Sequence, residues 1–205
     1  DTFTRDLKDI FAVQDEIVGL IAQSLSLKLG DNAPGRATRT VDPEAHRLVL
    51  EGRYFWNQRS DAALARAEAA FHQAIALAPS YAEAYAGLAD VYQVRMTNLT
   101  NAGEEATAAA ELKKTREAAQ RARDLDPSLA EPYATLGYVT FYDGSLKDAA
   151  ALLQRSLALN PNLAFAHRYY APVLSAQGRP DLGLEAARRA AEIDPLSLVN
   201  CSIYA

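Results

Sequence analysis

The feature of the sequence that most constrains its fold is a proline that recurs at a fixed interval. Pro127, Pro161 and Pro195 are 34 residues apart, and each follows an alanine- or leucine-containing segment that ends in Asp or Asn. Pro79 precedes Pro127 by 48 residues, which is one such interval with 14 additional residues. Because proline cannot continue a helix, this period predicts short helices stacked as repeated units.

The composition favours an all-helical chain. Of the 205 residues, 41 are alanine, the strongest helix former, and no run of alternating Val, Ile or Thr indicates a strand. The sequence therefore predicts an all-α fold. An ordinary alanine-rich helical bundle is the alternative to a stack of repeats.

The positions that follow each proline also recur. Six, nine and ten residues downstream stand a large, an apolar and a small residue: Tyr85, Leu88 and Ala89; Tyr133, Leu136 and Gly137; His167, Tyr170 and Ala171. This pattern resembles the tetratricopeptide repeat (TPR). The resemblance implies a right-handed superhelical solenoid of about four helix pairs. Its units are expected at about 43–81, 82–129, 130–163 and 164–197, with residues 198–205 starting a truncated further unit.

Small and large side chains have separate expected roles in such a stack. Small residues let the two helices of a pair touch, and large residues fill the gaps between pairs. The small set is Ala67, Ala89, Gly137, Ala149 and Ala171, and the large set is Phe71, Tyr85, Tyr133 and Leu153.

The 14 additional residues of the second unit lie between Arg95 and about Ala110. Their composition is polar and typical of a loop. We expect a loop there, followed by a helix from about Glu104 to Leu125 that Asn101 caps. Such a loop is either a projecting binding element or a tolerated insertion.

A separate helix is predicted ahead of the repeats, over residues 9–29, followed by a polar linker over residues 30–42. Ile10, Val13, Ile17 and Leu20 recur at helical spacing and form an apolar stripe. We expect this stripe to pack against the first repeat or against the same helix of a second chain, because an exposed stripe would be adhesive.

Three segments resemble one bacterial family in the same order: Arg5-Asp-Leu-Lys-Asp-Ile-Phe-Ala-Val-Gln-Asp-Glu-Ile17, Val41-Asp-Pro-Glu-Ala-His46 and Gly52-Arg-Tyr-Phe-Trp-Asn57. Members of that family carry a TolB-like α/β domain followed by TPRs. The resemblance implies that residues 1–29 are the last edge of the TolB-like domain. It also implies an upstream effector, which is a winged-helix DNA-binding domain, a nucleotide cyclase or a Ser/Thr kinase. Since Asp1 is not a natural start, we expect the chain to be a piece of a longer protein.

Charge and motifs argue against several classes of function. The net charge of -5 argues against direct nucleic-acid binding by this chain, because nucleic acid is itself negatively charged. No apolar run is long enough for membrane insertion. Nucleotide-binding loops, serine-hydrolase motifs and paired cysteines are absent from the sequence, and its three histidines are scattered. We therefore expect no catalytic residues, no metal site and no cofactor. The expected compartment is the cytoplasm, or the periplasm if a transmembrane helix lies upstream.

The TPR resemblance implies a concave groove lined by the first helix of each pair. The residues at groove positions are Arg53, Trp56, Asn57, Glu83, Asp90, Gln93, Glu131, Tyr138, Phe141, Tyr142, Phe165 and Arg168.

Tyr138, Phe141, Tyr142 and Phe165 form the predicted anchor pocket, because aromatic side chains dominate the energy of many interfaces. The alternative is that Phe141 and Tyr142 belong to the core of their own repeat. Among the charged groove residues, the three acids are expected to meet basic groups of a partner, and the two arginines to favour carboxylates. The pattern lacks the several Lys and Arg with which some repeat proteins grip a C-terminal carboxylate, so that mode is not expected.

These observations predict a scaffold that binds a protein or peptide in its groove, within a larger bacterial signalling or transcription-regulatory protein. One alternative is a self-association module that makes a homodimer of that protein. Another is a groove that senses a small molecule. Pro172, inside the first helix of the fourth pair, is expected to kink that helix and widen the groove.

Overall fold

A computed structural model describes residues 42–197, and this part of the chain consists of eight α-helices joined by short turns, without a β-strand. The helices are α1 (Pro43–Gln58), α2 (Asp61–Leu77), α3 (Ala82–Asn101), α4 (Glu105–Leu125), α5 (Glu131–Tyr142), α6 (Leu146–Leu159), α7 (Ala164–Ala176) and α8 (Pro180–Ile193). The expectations for the helix over residues 9–29, the linker and the unit that starts at residue 198 fall outside the described residues.

The helices stack as four consecutive pairs. Within a pair, α1 contacts α2, α3 contacts α4, α5 contacts α6 and α7 contacts α8. The first helices also contact one another in order, from α1 through α3 and α5 to α7, and each second helix contacts the first helix of the next pair. This is a solenoid, which confirms the predicted all-α repeat architecture.

Helix starts in the first pair are fixed by side-chain caps. The Asp42 carboxylate accepts hydrogen bonds from the backbone N–H groups of Glu44 and Ala45, and Pro43 occupies the first turn of α1. The Ser60 hydroxyl oxygen accepts from the N–H of Ala63 at the start of α2. These bonds satisfy amides that have no partner inside a helix, and they set where each helix begins.

Three of the recurring prolines, Pro79, Pro127 and Pro161, lie in the turns between the described pairs, and a side chain of the following helix binds each of these three. The Tyr85 hydroxyl donates to the carbonyl of Pro79 at 3.2 Å, and the Tyr133 hydroxyl donates to the carbonyl of Pro127 at 3.3 Å. His167 makes the equivalent bond from Nε2 to the carbonyl of Pro161 at 2.8 Å. Tyr85 and Tyr133, two of the large residues expected between pairs, therefore contact the turns between pairs. Both are half-buried and hold the turn between pairs.

Phe71 is the large side chain that joins the first two pairs. Its ring is fully buried between two glycines, Gly52 on α1 and Gly87 on α3. A Cβ atom added at Gly52 would stand 2.7 Å from the ring, and one added at Gly87 would stand closer still. The first helices of neighbouring pairs thus approach Phe71 at positions where no side chain fits. Gly137 faces Leu153 in the same way in the third pair.

The turns inside the pairs need a left-handed residue. Gly103, Gly144 and Gly178 fill this position in the second, third and fourth pairs, with φ of 78°, 81° and 78°. The first pair has Arg59 there, with φ of 60°, and Arg59 is the one non-glycine residue with positive φ in residues 42–197. A side chain in this conformation costs about 1–2 kcal/mol, so the first turn is strained where the other three are not.

The 14 additional residues of the second unit do not form the expected loop. They lengthen both helices of the pair, to 20 residues in α3 and 21 in α4, with a tight turn between them. Asn101 is the last residue of α3 and not the cap of α4. Met96 and Ala108 are buried between the extended helices, and this packing outweighs the loop-like composition.

Pro172 lies within α7, which continues through it as one helix. The proline therefore does not divide the fourth pair into shorter elements. The kink that its missing N–H leads us to expect stays a prediction.

The Phe71 contact gives a direct test of how pairs are joined. Gly87→Ala should lower the free energy of unfolding by about 1–3 kcal/mol, because its methyl group overlaps the ring. The cost should fall by about 1 kcal/mol in a Phe71→Leu background, where the ring is absent. Urea denaturation of the four variants of this cycle measures both numbers. Equal costs of Gly87→Ala in the two backgrounds would contradict the packing described.

Candidate functional site

The candidate site is the inner face, which we define as the side chains through which α1, α3, α5 and α7 contact one another. Two polar chains of contacts cross this face. An ion pair links α1 to α3 and continues to α5, and a set of hydrogen bonds links α3 to α5 and α7. An aromatic cluster and a cavity lie beside them.

The ion pair joins Arg53 of α1 to Asp90 of α3. Arg53 Nη1 donates to Asp90 Oδ2, and the Thr135 hydroxyl on α5 donates to Oδ1 at 3.1 Å. Asp90 is only 3% exposed. Burial raises the pKa of the Asp90 carboxyl, while Arg53 and Thr135 favour its charged form. Arg53 and Asp90 thus satisfy each other inside the chain, which differs from the expectation that each meets a group of a partner.

Gln93 is likewise an internal contact. Its Oε1 accepts a hydrogen bond from the Tyr169 hydroxyl at 2.8 Å, and its Nε2 donates to Thr97 at 3.0 Å. Gln93 and Tyr169 are both 3% exposed, so this contact between the second and fourth pairs is closed to a ligand. Burial raises the pKa of the Tyr169 hydroxyl to about 12, which keeps it a hydrogen-bond donor at neutral pH.

Two of the four predicted anchor aromatics contact Tyr169, and the other two follow them in a chain of ring contacts. Tyr138 stacks on Tyr169 with ring centres 4.3 Å apart, and Tyr142 meets Tyr138 edge-on at 5.0 Å. Phe165 meets Tyr169 edge-on at 5.6 Å. Phe141 contacts Tyr142 at the outer end of this aromatic cluster.

Exposure divides these aromatics into two groups. Tyr138 is buried within the inner face. Tyr142 is 46% exposed, and Phe141 and Phe165 are half-buried. Sequence reasoning did not include Tyr169, which holds the aromatic cluster together. The available signal was a large aromatic residue eight positions after Pro161, where the two preceding units carry the smaller Gly87 and Thr135.

Beside the aromatic cluster lies a cavity of about 760 Å³ between the turn after α1 and the start of α7. It brings together four of the predicted groove residues. These are Trp56, Asn57, Phe165 and Arg168. The rest of the wall comes from Gln58, Arg59, Ala164, Asp194, Leu196 and Ser197. The two remaining predicted groove residues, Glu83 and Glu131, are half-buried on the first turns of α3 and α5 and do not line this cavity.

Two arginines in the cavity wall stack on aromatic rings. The Arg59 guanidinium carbon lies 3.8 Å from the centre of the Trp56 ring, and that of Arg168 lies 4.4 Å from the centre of Tyr169. Among residues 42–197, neither arginine makes an ion pair or a side-chain hydrogen bond. Burial lowers the pKa of the Arg59 guanidinium, and nearby Arg168 acts in the same direction. Sequence reasoning missed Arg59 because it lies in a turn and not on a first helix.

The described residues show no grouping suited to a metal ion. His46 bonds to Tyr81, His72 to Tyr92 and His167 to Pro161, and these three places are separate. In residues 42–197, no three His, Cys, Asp or Glu side chains come together in a metal-binding arrangement. Nor does that stretch contain a helix long and apolar enough to cross a membrane.

The Arg53–Asp90 ion pair should contribute to stability. Arg53→Gln should lower the free energy of unfolding by about 2–3 kcal/mol at pH 7, because it leaves a buried carboxylate without its cation. The loss should shrink as the pH falls towards about 4, since the raised pKa lets folded Asp90 take up a proton before the unfolded chain does. Urea denaturation at several pH values measures this.

A matched control for that variant is Arg47→Gln. Arg47 pairs with Glu44 and Glu51 on the exposed face of α1, and such solvent-exposed pairs contribute little to stability. A cost of Arg53→Gln no larger than that of Arg47→Gln, or one independent of pH, would contradict the role assigned to Asp90.

Adjacent tyrosines test the hydrogen bond between the second and fourth pairs. Tyr169→Phe should cost about 1–2 kcal/mol, because it leaves the buried Gln93 oxygen without a donor. Tyr170→Phe should cost less than about 0.5 kcal/mol, since the Tyr170 hydroxyl accepts only an exposed bond from Gln154. Thermal or chemical denaturation of both variants provides the comparison, and equal costs would argue against a buried Tyr169–Gln93 bond.

A known bacterial protein is similar to most of this chain in sequence. No protein-family model matches the chain. The Rhizobium meliloti (strain 1021) protein named "Putative adenylate cyclase 3" is 30% identical over 151 residues, which are 73% of this chain and 25% of that protein. The chain thus spans about a quarter of the length of this relative.

Two solved structures share the architecture. A thermophilic TPR protein of Thermus thermophilus superimposes with a TM-score of 0.59 at 18% identity, over 96% of this chain and 92% of that one. An O-GlcNAc transferase mutant of Thermobaculum terrenum gives a TM-score of 0.53 at 22% identity, over 74% of this chain and 27% of that one. The stacked pairs described above are therefore the TPR fold.

Proposed function

We propose that the inner face binds a protein or peptide segment, and that the cavity beside Trp56 and Phe165 is where an anchor side chain of that segment docks. The observation that carries this proposal is the cavity of about 760 Å³, which is lined by half-buried aromatic side chains and by arginines without ion-pair partners in residues 42–197. Aromatic and arginine side chains in partly enclosed pockets are the residues that most often dominate binding energy.

The internal contacts of the inner face favour binding without large rearrangement. Asp90, Gln93 and Tyr169 are already satisfied by partners inside the chain. A ligand therefore meets a wall whose side chains are held in place, and little conformational entropy is lost on binding. The role proposed for the described helices is recognition.

The proposed setting is a larger bacterial signalling protein with an effector domain outside this chain. The Rhizobium meliloti relative supports this setting, because its name describes an adenylate cyclase and this chain corresponds to only a quarter of its length. Among the three effectors that the sequence resemblance implies, a nucleotide cyclase is the one that this relative favours. Binding at the inner face would then regulate or recruit that domain.

A specific observation favours self-association as the second candidate. Leu50 and Tyr54 stand one helical turn apart on α1 and are 57% and 64% exposed. Apolar side chains exposed side by side are typical of a surface that another protein covers. A second copy of the chain at this face of α1 would produce the homodimer.

A displayed library of random peptides tests the main proposal. Selection on the 205-residue chain should enrich peptides that share one anchor residue, and Phe165→Ala should weaken the best of them by about tenfold or more. Leu77→Ala is the matched control, because Leu77 is an exposed apolar residue on α2, away from the cavity. No enrichment, or equal effects of the two variants, would contradict the proposal.

Sedimentation velocity separates the second candidate. A dimer that dissociates in Tyr54→Glu but is unchanged in Phe165→Ala would assign self-association to α1. A monomer at all concentrations would exclude it.

A further inference from the structure

The turn between α1 and α2 has Arg59 at its left-handed position, where the turns inside the other three pairs have glycine. The second, third and fourth pairs use Gly103, Gly144 and Gly178 at the left-handed position, and none of these glycines has a neighbour that would exclude a side chain. The first pair keeps Arg59 in the same strained conformation. Strain held at a single position is a reason to look for what the side chain does there.

The Arg59 side chain has a defined place. Its guanidinium covers the face of Trp56 at 3.8 Å and forms part of the cavity wall. Arg168 approaches the same cavity from α7 and rests on Tyr169. Each is held by an aromatic ring, and neither is neutralised by an ion pair within residues 42–197.

The charged side chains that line the cavity favour an anionic ligand. Arg59 and Arg168 repel each other across the cavity when no anion separates them. Asp194 also lines the cavity and attracts Arg59, so it offsets one of the two positive charges. Arg59, Arg168 and Asp194 together leave one net positive charge, which a single carboxylate would neutralise. A doubly charged phosphate would be repelled more strongly by Asp194 than a carboxylate would be.

We propose that Arg59 and Arg168 form a carboxylate-binding site, and that the peptide bound at the inner face is acidic at the residue that enters the cavity. This inference rests on the proposed function and names the chemistry of its ligand. The planar guanidinium group suits a carboxylate because it donates two parallel hydrogen bonds. Trp56 and Phe165 supply apolar walls for the residues on either side of the acid.

The sequence analysis expected Arg168 to favour a carboxylate but did not place Arg59 beside it. Arg59 is 109 residues away from Arg168 and lies in a turn. Only the folded stack of pairs brings the two side chains to one cavity.

Four probes distinguish the sources of the anion. The first is a pentapeptide with one glutamate between two phenylalanines, acetylated at its N-terminus and amidated at its C-terminus. The second carries glutamine in place of glutamate, and the third is that glutamine peptide with a free C-terminal carboxylate. Inorganic phosphate is the fourth. Trp56 is the only tryptophan of the chain, so its fluorescence reports binding at the cavity, and calorimetry gives an independent affinity.

We expect the glutamate peptide, the free-carboxylate peptide or both to bind at least tenfold more tightly than the fully blocked glutamine peptide. Which of the two binds more tightly tells whether a side-chain or a terminal carboxylate is preferred. The preference should weaken as salt concentration rises.

Arg59→Gly separates a binding role from a structural one. It gives the first turn the residue that the other three turns have, so the melting temperature should be unchanged or higher, while the preference for the carboxylate peptides falls about tenfold by calorimetry. Arg168→Gln should reduce the preference similarly. Arg155→Gln is the matched control, because Arg155 is an exposed arginine beside the Tyr133 ring on α6, outside the cavity. It should leave the preference intact.

Three results would overturn the inference. The first is equal affinity of the blocked glutamate and glutamine peptides, together with no gain in affinity from a free C-terminal carboxylate. The second is an unchanged preference for carboxylate peptides in both Arg59→Gly and Arg168→Gln, and the third is phosphate binding that excludes every carboxylate peptide. If library-selected peptides still depend on Phe165 while no carboxylate preference exists, the proposed function stands and only the carboxylate site fails. If no peptide of either kind binds, both fail.

Discussion

The close approach of neighbouring helix pairs at glycine is the contact on which the rest of the structure depends. Phe71 fits between Gly52 and Gly87 because neither glycine carries a side chain, and this fixes how α1 and α3 lie relative to each other. Gly137 and Leu153 make a close contact of the same kind between α5 and α6, inside the third pair. One pair alone cannot bury its apolar face, so a contact such as that of Phe71 with Gly87 makes the core continuous from one pair to the next.

The same spacing explains why the inner face is lined by long polar and aromatic side chains. Because the first helices lie side by side, Arg53 reaches Asp90, and Tyr169 reaches Gln93 two pairs away. These bonds use up several groups that would otherwise face a ligand. What is left at the inner face is the aromatic edge around Tyr142 and the cavity with Arg59 and Arg168.

Much of the fold could be predicted from the sequence, because the proline interval and the small residues act locally. The contacts between distant repeats could not. Asp90 and Gln93 occupy groove positions in the repeat pattern, yet their partners lie 37 and 76 residues away and are brought near only by the stacking of the pairs. The lengthened α3 and α4 were also missed. Their Asn-, Thr- and Gly-containing sequence favours a loop locally, and only burial of Met96 and Ala108 against neighbouring helices makes the extension stable.

The central claim is that ligands bind on the inner face at the cavity, and the indole N–H of Trp56 tests it most directly. Its Nε1 atom is buried without a hydrogen-bond partner among the described residues, and the chain gives a single indole resonance in a proton–nitrogen NMR spectrum. Titration with a bound peptide should shift this resonance in a saturable way, while the amide of Gly103 in the turn after α3 stays unchanged. A peptide that binds and shifts Gly103 but leaves the Trp56 indole resonance in place would show that the binding surface lies elsewhere.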